Sequence, residues 1–175
     1  LGLYCEVHTV PMLINYRQIP SIVKLAEKMG AQRVSLLRLV PQGRCVKYKE
    51  ALLIENDREQ VSEFVEIVEN LNSPILKLRK GAPYRCLFFE KAGVCSAGQN
   101  KLLIGPDGSV HPCEAFKSDR ATFNIKTNSL QKIWETDARI NEIRVLQPDK
   151  IEVCNQCVNL ARCGGGCPGQ RWVAH

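Results

Sequence analysis

No apolar run in this 175-residue chain approaches the ~20 residues that a membrane-spanning helix needs, so a bilayer-crossing segment is not expected. Basic residues interleaved with aromatics are also missing. The net charge of +6 is mild and spread along the chain. Its densest stretch, Lys77, Arg79, Lys80 and Arg85, reads as a solvated strand edge, and no nucleic-acid partner is expected. No P-loop, dinucleotide-binding glycine motif or Ser/His/Asp or Cys/His nucleophile set is present. The chain begins Leu-Gly-Leu-Tyr-Cys, without an initiator Met, a basic leader region or a cleavage site, which leads us to expect a part preceding it. With 45% apolar and 24% charged residues, global disorder is excluded. The nine cysteines are too sparse for a disulfide scaffold and too many for an ordinary cytosolic enzyme. Their odd number argues against complete internal pairing.

The first part of the chain reads as α/β. Val7, Val10, Leu13 and Ile14 suggest a buried strand over residues 4–14. A helix is expected over 17–29, with Ile19, Ile22, Val23, Ala26 and Met29 on one face and Gly30 at its end. A second strand follows from Arg33 to Val40. Strand, helix and strand make a βαβ unit with parallel strands. One such unit cannot cover both faces of its sheet, so it belongs to a larger assembly or meets a second copy of the chain. A further helix over 57–71 is capped by Asn56 with Glu59 three residues on, and Val61, Phe64, Val65, Val68 and Leu71 form its stripe. A short strand over 75–79 ends at Gly81-Ala82-Pro83, and the domain boundary is placed near residue 82.

Beyond it the pattern changes to short strands, turns and cysteines. Residues 102–113, around the turn Gly105-Pro106-Asp107-Gly108, read as a β-hairpin. Ser129 or Asn128 caps a short helix holding Leu130, Ile133 and Trp134, and another follows over 137–145. The tail from Ile151 to Gly169 has too few apolar residues to fold by burial alone and needs a staple.

Cys154-x2-Cys157-x5-Cys163-x3-Cys167-Pro168 places four thiols within 14 residues, and thiolates suit zinc or iron–sulfur centres. Gly164, Gly165 and Gly166 let the backbone close around a bulky centre. A Cys-Pro ending also occurs where the last cysteine of a run serves a different cluster from its neighbours. Two readings stand: one four-thiolate zinc site in a binding module, or thiolates divided between iron–sulfur clusters. A disulfide-linked structural domain is a third. Of the other cysteines, Cys5 reads as a small buried hydrophobe and Cys45 as a loop residue. His111, alternating with Val110, suggests a surface residue or one beside a ligand rather than a ligand itself. His8 shows no partner in the sequence.

Upstream, Cys95-x12-Gly108-x4-Cys113 brackets the hairpin. With the late run it resembles the SPASM domain, the auxiliary-cluster extension of radical S-adenosylmethionine (SAM) enzymes. The stretches IGPDGSVHPCEAF and NSLQKIWET are similar to that family as well. VHTVPMLINYRQIPSIVKLAEKMGAQRVSLLRLVPQGR resembles the fifth strand, fifth helix and sixth strand of a radical SAM barrel. The resemblance implies a partial (β/α) barrel segment over 1–82 and a small α+β auxiliary-cluster domain over 83–175. It implies one [4Fe–4S] cluster on Cys86, Cys95, Cys113 and Cys167, and a second on Cys154, Cys157 and Cys163. The family's fourth ligand to the second cluster lies farther on, so that site is expected to be incomplete. Asn15 and Arg38 are the implied contacts to SAM or substrate.

The family's Cys-x3-Cys-x2-Cys signature, whose cluster cleaves SAM, does not occur in this sequence. The chain alone is therefore expected to be inactive in the family's radical reaction. In the intact enzyme, an oxidoreductase or maturase, the resemblance implies electron relay or substrate binding. The partner would be a peptide, protein or small-molecule substrate, and the compartment the reducing cytoplasm.

Overall fold

A computed structural model describes residues 2–54, 57–80, 84–88, 95–117 and 120–174. Asn56, the Gly81-Ala82-Pro83 break and His175 lie outside the described residues, as does the side chain of Cys86. The chain divides into two compact units, Leu1–Leu39 with Arg44–Ala92, and Val40–Gly43 with Gly93–His175.

In the first unit, β1 (Glu6–Thr9), α1 (Ile19–Lys28) and β2 (Arg33–Leu36) form a βαβ unit with parallel strands. The strands are shorter than their apolar runs, because residues 10–15 fold into a loop braced by Asn15 and leave Ile14 exposed. Pro20 sits in the first turn of α1, where its missing N–H costs nothing. Ile19, Val23 and Ala26 are buried, but Met29 is exposed: the helix ends at Lys28, and Gly30 turns the chain at φ +76. A short helix, α2 (Lys49–Leu52), precedes α3 (Arg58–Glu69). The cap of α3 is Asp57, whose side chain accepts from the amides of Glu59 and Gln60 at 2.8 and 3.1 Å, one residue later than expected. β3 (Lys77–Lys80) then pairs parallel to β2, giving the sheet order β1-β2-β3, and α4 (Arg85–Phe88) follows.

The two faces of this sheet differ in kind. Val7, Val34, Leu36 and Leu78 meet Ile19, Val23 and Ala26 of α1 and Phe64 and Val68 of α3 in one core. In the paired register the alternate residues Glu6, His8, Arg33, Ser35, Lys77 and Arg79 occupy the opposite face, and none is apolar.

Tyr16, fully buried, and Arg17 tie the turn before α1 to the middle of α3 through Glu63. Arg17 donates two hydrogen bonds to that carboxylate at 2.6 and 2.7 Å, and the Tyr16 hydroxyl donates a third at 2.5 Å. Arg17 first, then Tyr16, holds the Glu63 carboxyl down to about 2. A depressed folded-state pKa stabilises above the unfolded value and is lost as pH falls toward about 2. The gap in thermal midpoint between the native chain and Glu63→Gln is therefore expected to be widest near neutrality and to shrink below about pH 4.5. A gap independent of pH would show that the ion pair contributes nothing to stability.

In the second unit, β4 (Leu103–Ile104) and β5 (Val110–His111) form the antiparallel hairpin. Gly108 is favoured there by its φ of +89, and a Cβ on it would also displace the Asn124 side chain, whose Oδ1 would stand 2.5 Å away. α5 (Leu130–Thr136) is capped by Ser129 and α6 (Ala138–Arg144) by Asp137. Ile133 and Ile140 pack with Val110, whereas Leu130 lies exposed on the outer side of its helix. The tail carries α7 (Glu152–Asn155), α8 (Leu160–Cys163) and α9 (Pro168–Ala174). Among the described residues no helix is long and apolar enough to cross a membrane.

Candidate metal centre

Cys95 and Cys113, both half-buried, pack with Val40 against a small core of Ala97, Ala115, Phe116 and Ile143. The turn after Cys95 is tied to the helices by Arg144, which donates to the carbonyls of Gly98 at 2.7 Å and Trp134 at 2.6 Å and lies 4.1 Å over the Trp134 ring. Cys113 leaves the hairpin in extended conformation, and its carbonyl accepts from Phe116 at 3.1 Å. A 3₁₀ turn, Glu114–Phe116, follows.

Cys167 immediately precedes α9, and α9 packs on that same turn. The approach is close: a Cβ on Gly169 would lie 2.2 Å from the Ala115 Cβ, so the site admits only glycine. Cys167 thus comes to Cys113 and Cys95 although it lies far down the chain. Burial pushes the Cys113 thiol up to about 11. That rise is net of a hydrogen bond from the Ala115 backbone and the charge of Lys101, which lower it, and includes smaller contributions from Cys167 and Cys95. Such a thiol stays protonated at neutral pH unless a metal centre displaces its proton.

Cys154, Cys157 and Cys163 lie on the short turns of the tail, with Cys157 exposed and the other two half-buried. Hydrogen bonds from Cys157 N to the Cys154 carbonyl at 3.0 Å and from Cys163 N to the Asn159 carbonyl at 2.7 Å set these turns. Gly164, Gly165 and Gly166 all take positive φ, at 62, 82 and 70, a succession open only to glycine. Among the described residues no three Cys, His, Asp or Glu side chains converge closely enough to hold a single metal ion. A four-thiolate zinc site, with sulfurs ~2.3 Å from one point, is therefore not preformed among them. A cluster of several irons spaces its thiolates more widely. The cysteines whose side chains are described are all free thiols.

Elsewhere the structure departs from expectation. Cys5 is exposed, because the short β1 begins only after it. Cys45 lies half-buried in a 3₁₀ helix, Gly43–Tyr48. His111 is buried, with 4% of its surface exposed, and among the described residues its Nδ1 has no partner. It is not a surface residue, because the hairpin turns that strand inward.

His8 lies 3.2 Å from Glu6, which also accepts from Arg33 and Ser35. Ser35 chiefly, with Arg33 and His8, holds the Glu6 carboxyl below its ordinary range. The sequence reading missed this group, and strict alternation of polar residues along β1 and β2 was the signal for it. Asn15 uses its side chain on its own loop: Oδ1 accepts from Met12 N at 2.7 Å and Nδ2 donates to the Val10 carbonyl at 3.1 Å. Arg38 is half-buried just past the end of β2.

A profile of the SPASM iron–sulfur cluster-binding domain matches residues 95–158. The chain is 26% identical over 95% of its length to the PqqA peptide cyclase of Methylorubrum extorquens (strain PA1), covering 44% of that protein. It is 22% identical over 94% of its length to the AdoMet-dependent heme synthase of Nitratidesulfovibrio vulgaris, covering 49%. The fold is similar to that of Streptococcus suis SuiB bound to S-adenosylmethionine, with a TM-score of 0.60 at 21% identity over 96% of this chain and 41% of that one. The chain spans less than half the length of these relatives.

Proposed function

We propose that this chain, whose residues 95–158 match the SPASM iron–sulfur cluster-binding domain, is part of a radical SAM enzyme, and that its cysteines hold auxiliary clusters serving radical chemistry in the intact protein. The cofactors that accompany this identity are [4Fe–4S] clusters and, in the intact enzyme, SAM. Cys95, Cys113 and Cys167, with Cys86, would hold one cluster. Cys154, Cys157 and Cys163 would serve the other. The observation that supports this division is the approach of Cys167 to Cys113 and Cys95, through the packing of Gly169 on Ala115. A cluster held there supplies one-electron transfer when bound. The chain's own part is to bury the Cys113 thiol, to hold Cys167 against it through α9, and to wrap three glycines around the tail cysteines.

The first unit fits the reading as a barrel segment. Its strands are parallel and in sequential order, with α1 and α3 packed on the same side. Asn15, through the loop it braces, and Arg38 stand beyond the C-terminal ends of β1 and β2, the end at which barrel enzymes place their active sites. They would face SAM or the substrate. A peptide substrate is favoured by the cyclase relative, which is named for the peptide PqqA. Iron–sulfur clusters held by cysteine thiolates fit a reducing compartment, the cytoplasm.

Iron, sulfide and zinc content of alanine variants tests the assignment. Cys95→Ala, Cys113→Ala and Cys167→Ala are expected to lose the same cluster, about four irons, with an identical change in visible and paramagnetic spectra. Cys154→Ala, Cys157→Ala and Cys163→Ala should form a second group. Cys167→Ala falling into that second group would overturn the division, and stoichiometric zinc in place of iron would overturn the cluster reading itself.

A further inference from the structure

All-parallel sheets are almost always covered on both faces, and their strands then read as near-continuous apolar runs. The sheet β1-β2-β3 breaks that rule, since one face is the core with α1 and α3 and the other is wholly polar. A second apolar layer cannot pack on Glu6, His8, Arg33, Ser35, Lys77 and Arg79 without stripping water from unpaired charges. That face therefore fronts water or a polar ligand.

Its charge is unbalanced. Glu6 is its one acid, and Ser35, Arg33 and His8 already answer that carboxylate. Lys77 and Arg79, two residues apart on β3, are exposed and have no acidic partner among the described residues. They extend a cationic strip from Arg33 across the sheet, since Arg33 is paired in register with Lys77. On the other side of the same strand Leu78 packs into the core, and Lys80 lies 4.3 Å over the Phe88 ring. These contacts fix which way Lys77 and Arg79 point.

We propose that the polar face of this sheet binds an acidic segment of a peptide substrate, with Lys77 and Arg79 as its charge-reading residues and Arg33, held by Glu6, as the fixed end of the strip. The inference rests on the reading of this unit as a barrel segment whose inner face meets the substrate. Two separated cations select carboxylates spaced along an extended chain over a single small anion.

The test uses the full 175-residue chain with clusters assembled, and three labelled peptides of one length: Glu-rich, the same with Gln at each Glu, and the same with Lys. Fluorescence anisotropy is expected to rank Glu well above Gln, and Gln above Lys. Lys77→Gln/Arg79→Gln should weaken the Glu-rich peptide about three- to tenfold, as two exposed charge contacts would. Lys24→Gln/Lys28→Gln removes the same charge from the exposed side of α1 and should change it less than about twofold.

Equal binding of the Glu and Gln peptides would overturn the proposal, and so would an equal loss in the α1 control, which would reduce the effect to net charge. A third overturning result is that the β3 variant leaves peptide binding intact and weakens SAM instead, making the cofactor's carboxylate the one recognised. Circular dichroism of both variants separates misfolding from lost recognition, because these side chains are exposed and leave the core untouched. Iron content, read on the same samples, reports on the cluster assignment alone, so either idea can fail without the other.

Discussion

Stripping iron and sulfide from the chain under reducing conditions is expected to raise amide exchange across residues 151–169 at least about tenfold, while residues 19–40 change little. The reason lies in what the tail buries. From Ile151 to Arg171 the only buried residues among those described are Gly165 and Gly169, and Val158 is 95% exposed. Neither glycine has a side chain to remove from water, so hydrophobic burial contributes little here. The helices α7 and α8 are four residues each, far below the length at which helices hold themselves. Thiolate–metal bonds in small domains contribute on the order of 10 kcal/mol of folding free energy, which is the scale this segment needs. The strands and α1 draw on a conventional core and owe the metal far less. Hydrogen exchange followed by mass spectrometry reads both regions in one experiment. Equal protection of the tail in metal-free, reduced chain would show that packing holds it.

Phe64→Ala is expected to destabilise the first unit by about 3–5 kcal/mol, enough to unfold a marginal domain. Phe64 is 1% exposed and lies where α3 meets the sheet. Its ring centroid stands 5.2 Å from that of Tyr84 and 6.0 Å from that of Phe88, both tilted toward edge-on contact. Removing the ring leaves a cavity between α3 and α4 that two fixed aromatics cannot fill. Val65→Ala, one residue on and only half-buried, should cost about 1 kcal/mol or less. Urea unfolding of both variants makes the comparison. A Phe64→Ala cost below about 1 kcal/mol would mean that the core there is loose.

Local periodicity and spacing in the sequence were sufficient for the βαβ unit, the α3 stripe, the hairpin turn and the two cysteine runs, because each depends on neighbours within about a dozen residues. Even there, ends shifted: the cap of α3 is Asp57, and both strands stop short of their apolar runs. Burial was less legible. Cys5 is exposed and His111 buried, since each depends on which remote element covers it. Spacing by itself left the partner of Cys167 open and the resemblance implied it, whereas the tertiary structure supplies the physical means, a helix whose Gly169 seats against Ala115. It likewise placed Glu6, Arg33 and Lys77 side by side, because strand register is set by the packing of α1 and α3 beneath the sheet. Residue types and short-range spacing can be read along the chain, whereas the meeting of distant groups is decided by the packing of separate elements.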